Sequence, residues 1–117
     1  MKAYTDIEQS KKLAEILPIE SADMWYWEYP SAPKYSNYEY PMFHRQWGVI
    51  NIPCWSITAL FEYLKHPLER LDVSIRTDKN YNVFALIDNL RINLTDENNL
   101  VDACYKIILE LHEQKLL

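Results

Sequence analysis

Glycine is almost missing from this 117-residue chain, and Gly48 stands alone. Phosphate-cradling loops and dinucleotide fingerprints need several glycines so that the backbone can approach the ligand, and a single one excludes both. Cysteine is scarce too: Cys54 and Cys104 allow one disulfide at most. Two lone thiols in a chain without an apolar, signal-like start point to a reducing, cytoplasmic setting. No apolar run is long enough to span a bilayer, so no membrane role is expected. Lys11-Lys12 is the one basic pair, and a formal charge of −5 opposes attraction to a phosphate backbone. A nucleic-acid partner is therefore not expected. No CxxC or HxxxH spacing joins the cysteines and histidines, so neither a metal nor another cofactor is expected. A GxSxG nucleophile elbow is missing as well. No repeat, low-complexity segment or linker divides the chain, and residues 1–117 read as a single domain.

What the chain has in abundance is aromatic rings, and they are concentrated. Trp25, Tyr26, Trp27, Tyr29, Tyr35, Tyr38, Tyr40, Phe43, Trp47 and Trp55 fall in one stretch, which includes all 4 tryptophans. Such rings either fill a core or anchor a contact surface.

The elements follow from capping and periodicity. Thr5 and Glu8 have the form of a capping box for a first helix carrying Ile7, Leu13, Ala14 and Leu17, which Pro18 stops. Residues 24–29 read as a strand with Trp25, Trp27 and Tyr29 on one face and Met24, Tyr26 and Glu28 on the other. Residues 30–43 hold three prolines among Ser, Asn and Tyr and read as a long irregular loop. A short strand over 47–52 leads to a second helix capped near Ser56, with Ile57, Leu60, Phe61 and Leu64 as its buried stripe. Leu71, Val73 and Ile75 then alternate with polar residues, as in a half-buried strand. Tyr81–Ile87 is apolar enough to lie centrally. Asp88-Asn89 can supply the positive φ angles of a two-residue hairpin turn into a strand carrying Leu90, Ile92 and Leu94. The last helix starts near Asn98 or Asn99, with Asp102 and Lys106 spaced for an i,i+4 pair. The expected class is α+β: a mostly antiparallel sheet of three to five strands, which the first strand joins, with three helices, the last one C-terminal.

Three segments are familiar together. They are Gln9-Ser-Lys-Lys-Leu-Ala-Glu-Ile-Leu-Pro-Ile-Glu-Ser-Ala-Asp23, Ile52-Pro-Cys-Trp-Ser-Ile-Thr-Ala-Leu60, and Asn99-Leu-Val-Asp-Ala-Cys104 leading to Leu109-Glu-Leu-His-Glu113. With them the chain resembles a family of small uncharacterised proteins of Bacteroides-type bacteria, their prophages and mobile elements. The resemblance implies a bacterial or phage origin and a cytoplasmic location, and no activity, cofactor or site residue.

Chemistry has few candidates. Cys54 precedes a helix, where amide dipoles can activate a thiol, but it would need His44, His66 or His112 as partner. Burial beside Trp55 is the plainer expectation. Glu28 interrupts an aromatic strand and reads as a solvated side chain. Trp25, Trp27 and Trp55 are expected under the helices, with Trp47 at the sheet edge. The phenols of Tyr35, Tyr38 and Tyr40, set among serine, asparagine and proline, have the composition of a paratope. The expectation is a non-enzymatic interaction module contacting a protein partner, or a second copy, through residues 30–47, with Tyr35, Tyr38, Tyr40, Phe43 and Trp47 as contact residues. The alternative is a small-molecule binder or enzyme with a pocket lined by Trp25, Trp27, Trp47 and Trp55.

Overall fold

The computed structural model describes residues 2–117. The chain runs α1 (Ile7–Ala14), β1 (Met24–Glu28), β2 (Asn37–Met42), β3 (Ile50–Cys54), α2 (Ile57–Leu64), β4 (Arg70–Ile75), β5 (Tyr81–Ile87), β6 (Leu90–Glu97) and α3 (Leu100–Glu113). Short 3-10 turns occupy Ile19–Ser21 and Pro33–Tyr35. This is the predicted α+β class, with the last helix C-terminal. The first strand does not join the later ones: the six strands divide into two antiparallel sheets, ordered β2-β1-β3 and β4-β5-β6.

The second sheet is built from local signals. Asp88 and Asn89 take φ of 46° and 69°, the left-handed pair that a two-residue hairpin between β5 and β6 requires. Val83, Ala85 and Ile87 of central β5 alternate inward, opposite Leu94, Ile92 and Leu90 of β6. Against this face pack α2 and α3, whose Leu60, Leu64, Val101, Cys104, Ile107, Ile108 and Leu111 are fully or almost fully buried. Burying each such aliphatic side chain contributes roughly 1.5–3 kcal/mol before the entropy of ordering is subtracted. Ser56 and Asn99 cap the two helices, their side chains accepting from the amides of Ala59 and Asp102.

The first sheet has a smaller core of its own, in which Met24, Tyr26, Ile52 and Cys54 meet Tyr4 and Ile7. Period 2 divides β1 as expected, but the buried face is that of Met24 and Tyr26, not that of Trp25 and Trp27. Helix α1 covers the Tyr26 face and leaves the tryptophan face without a helix.

Thr5 joins the parts. Its backbone amide donates to Trp55 O (3.0 Å) and its hydroxyl accepts from the Trp55 amide (3.1 Å). Its carbonyl accepts from the Tyr26 hydroxyl at 2.7 Å. Thr5 is thus fully buried, and the capping box of α1 belongs to its neighbours: Asp6 accepts from the Gln9 amide (2.8 Å) and Gln9 Oε1 from the Asp6 amide (3.2 Å). A threonine with three buried partners is not free to cap.

The predicted Asp102–Lys106 pair does not form. Asp102 accepts from Lys2 Nζ (2.8 Å) and Gln9 Nε2 (2.7 Å), while Lys106 turns to Glu97 (2.8 Å). Strand β4 also departs from expectation: Leu71 is half-buried, but Val73 and Ile75 are 40% and 73% exposed. The alternation is present, yet α2 covers only one end of the strand.

Candidate functional site

The predicted loop 30–43 contains a strand. Residues 29–36 close on themselves, the Tyr29 amide donating to Ser36 Oγ (2.9 Å) around the Pro33–Tyr35 turn. The chain then pairs with β1 as edge strand β2, where a proline is tolerated because one side needs no donor; Pro41 is buried there. Register breaks sharply. Trp25 faces Met42 while Trp27 faces Asn37, so one residue of β1 opposes the four at 38–41. Asn37 holds this bulge, accepting from the Glu39 amide (3.0 Å) and donating to Tyr40 O (3.2 Å). The extra residues are pushed off the sheet, and Tyr38 and Tyr40 are 40% and 57% exposed.

Tyr38 is fixed from both sides. Its hydroxyl donates to the Glu28 carboxylate, and Lys11 Nζ lies 5.8 Å from its ring centre. The bond to Glu28 raises the pKa of the phenol above its ordinary value. Glu28 therefore has a partner on this rim rather than a purely solvated face.

Beyond β2 the chain folds across the tryptophan face of the sheet. Trp27 Nε1 donates to His44 O (3.1 Å), and its ring meets the His44 imidazole edge-on at 5.1 Å. The Arg45 guanidinium lies 5.2 Å from the Trp25 ring. The expected strand over 47–52 begins only at Ile50, because Trp47-Gly48 is a turn. Gly48 has φ of +80°, a conformation glycine adopts without strain. The Asn51 side chain closes that turn, accepting from the Gln46 amide (2.8 Å) and donating to Gln46 O (3.0 Å). Phe43 and Trp47 point away, 78% and 97% exposed, and Tyr35 is 65% exposed. Ile50, which the sequence did not single out, is also exposed, at the start of β3. Its place on an edge strand next to the turn is the reason, and only the pairing reveals it.

The four tryptophans do not line one pocket. Trp55 is fully buried in the main core and donates to Ser21 Oγ (2.9 Å). Trp25 and Trp27 lie half-buried under Arg45 and His44, and Trp47 stands in solvent rather than filling the sheet edge. Among the described clefts, one of about 400 Å³ joins Glu20, Asp23, Glu62 and His66 between the first 3-10 turn and α2. A second, of about 320 Å³, lies beside Tyr38 and is lined by Lys2, Tyr4, Asp6 and Tyr26.

Cys54 is fully buried, and its thiol donates to Thr5 O at 3.3 Å. Burial pushes its pKa up, as it does for Cys104, which reaches about 12. This is the reverse of the activated thiol that its place before a helix allows. Among the described residues, no three His, Cys, Asp or Glu are grouped to hold a metal ion, and no helix is long and apolar enough to cross a membrane.

No family model, no curated protein and no solved structure matches this chain, so its site is read from its own geometry.

Proposed function

We propose that this chain is a non-enzymatic interaction module that binds a protein partner through the exposed aromatic segment of residues 30–50. One observation carries this reading. Of nine large hydrophobic residues exposed among those described, six (Tyr35, Tyr38, Tyr40, Phe43, Trp47 and Ile50) come from this segment. Isolated exposed rings are ordinary, but such a concentration of them in one segment of the chain is the mark of a contact surface. The local hydrogen bonds of Asn37, Ser36 and Asn51 hold the backbone beneath these rings, so binding would order little more than side chains. Lys11, Lys34 and Arg45 against Glu28 and Glu39 give a mixed charge pattern suited to a polar rim. A cytoplasmic setting belongs to the same proposal, as does association with a phage or mobile element.

The test replaces Tyr35, Tyr38 and Tyr40 together by serine. The melting profile by circular dichroism is expected to stay within a few degrees of the parent. A partner that the parent retains from its host's lysate is expected to be lost by the variant. If the variant unfolds instead, the rings belong to the core and the reading fails. If it stays folded and the same partner is retained equally, the contact lies elsewhere.

A further inference from the structure

A separate surface carries a second conclusion, drawn from the other sheet. Its edge strand β4 pairs on one side only, with β5. The Arg76 amide donates to Asn80 O at 2.7 Å, and Ser74 and Asp72 face Asn82 and Phe84. Amide and carbonyl of one residue point the same way and alternate along a strand. Positions 72, 74 and 76 therefore turn theirs to β5, and Leu71, Val73 and Ile75 turn theirs to the open edge.

The other sheet edges are blunted. Strand β2 carries Pro41 and a register break, β3 carries Pro53, and β5–β6 breaks register between Tyr81 and Val83. The β4–β5 ladder runs from Arg70 to Ile75 without a break, and β4 has no proline. Such an edge invites another strand. Its core-facing side is unfinished as well. Val73 and Ile75 are 40% and 73% exposed, and a groove of about 530 Å³ lies between Val73 and α2, lined by Phe61, Lys65, Leu71, Val73 and Leu100. The molecule is elongated, 47 × 33 × 19 Å with a radius of gyration of 15.3 Å; a compact domain of this length has about 13 Å.

We propose that β4 pairs antiparallel with β4 of a second copy of this chain, about a two-fold axis through Ser74, joining two three-stranded sheets into one of six strands. The sequence of the strand selects this register. Centred on Ser74, Asp72 of each copy faces Arg76 of the other, and Val73 faces Ile75. Their outward amides and carbonyls then pair reciprocally. Centring on Asp72 or Val73 instead sets Asp72 against Asp72 or Arg70 against Arg76, and like charges directly opposite destabilise a pair. Centring on Leu71 pairs only the start of the strand and leaves Ile75 uncovered. A perpendicular two-fold keeps both helical layers on one side of the joined sheet. Phe61 of each copy then flanks a shared apolar strip of Val73 and Ile75, which one copy alone leaves wet.

Sedimentation over a range of concentrations tests this with three proteins. The parent is expected to reach twice the chain mass. Ser74→Lys sets two ammonium groups across the axis and should weaken the dimer at least about tenfold; Ser74 is exposed, so at concentrations low enough for both proteins to be monomeric its melting profile should match the parent's. In the proposed register two Ser74 α-carbons sit roughly 4.5 Å apart, within disulfide range. Ser74→Cys should therefore form a disulfide-linked dimer under mild oxidation, whereas Asp72→Cys alone should not. Cys54 and Cys104, both buried, will not compete. A parent that stays monomeric at every concentration overturns the proposal, even if β4 accepts a strand from another protein. So does a dimer that survives Ser74→Lys, or one dispersed only by the Tyr35, Tyr38 and Tyr40 triple variant. Dispersal by Ser74→Lys with disulfide capture at Ser74 alone supports it.

Discussion

Two tryptophans only eight positions apart should differ in cost by a large share of the stability of the fold. Trp55 is 0% exposed and Trp47 97%. A tryptophan buries up to about 250 Å², which at about 25 cal/mol per Å² is about 6 kcal/mol as an upper bound. Measured truncations of buried aromatics to alanine cost about 3–5 kcal/mol, and that is the expectation for Trp55→Ala. The loss of its bond to Ser21 adds little, because the Ser21 hydroxyl keeps Pro18 O as acceptor at 2.6 Å. A domain of this length is stable by roughly 6–18 kcal/mol, so this one change removes a large share. Trp47→Ala removes a ring that touches almost nothing and should stay within about 0.5 kcal/mol. Urea unfolding followed by far-ultraviolet circular dichroism reads both variants without relying on the deleted indole. A loss above about 2 kcal/mol for Trp47→Ala, or below about 1 kcal/mol for Trp55→Ala, would contradict the placement of the two rings.

Further outcomes follow from single contacts. Trp25 Nε1 is buried without a partner, whereas Trp27 Nε1 bonds to His44 O. Trp25→Phe removes an unsatisfied donor and should cost less in chemical denaturation than Trp27→Phe, which breaks a bond; the opposite order would show that Trp25 has an acceptor. Burial alone would raise the Asp102 pKa, but Lys2, Gln9 and Asn99 outweigh it and hold the carboxyl below its ordinary value. Its contribution is complete above the unfolded pKa of about 4 and is lost as pH falls through the lower folded value. Asp102→Asn should therefore be less stable than the parent at neutral pH, with the gap closing in acid; a gap independent of pH would remove the carboxylate from the account. With both thiols buried and raised, labelling by an aromatic disulfide reagent at neutral pH should be slow in the folded protein and rapid in denaturant. Prompt labelling of one thiol in the native state would contradict its placement.

Signals that act over a few residues were legible in the sequence. Asp88-Asn89 announces its turn because few residues tolerate two left-handed positions, and Ser56 and Asn99 announce helix starts because their side chains bond amides three residues on. The α+β class follows from those elements. The misreadings share a cause, which is that tertiary partners decided between local equals. Thr5 and Asp6 are both good caps, and only the buried contacts of Thr5 with Trp55 leave the task to Asp6. Alternation in β1 is certain, yet Trp25 and Tyr26 are both large and apolar, so period 2 cannot say which face meets α1. Strand β2 was hidden by Pro41 within it and by Pro30 and Pro33 before it, since an edge strand obeys weaker rules than a central one. The division into two sheets was invisible because it rests on which distant strands pair. Within the candidate site, the composition of 35–47 marked the segment, but the bulge at Asn37 that displaces Tyr38 and Tyr40 needed the register.

The latch from Lys2 and Gln9 to Asp102 has a consequence for how the molecule is made. It links residues up to 100 positions apart. A ribosome releases the Lys2 end long before it has polymerised Asp102, so this closure cannot form on a half-made chain. Contacts of such long range slow the search for the native state. During synthesis the aromatic segment therefore emerges on an assembly still lacking this clasp, at the stage when transiently exposed apolar surface is most prone to aggregation.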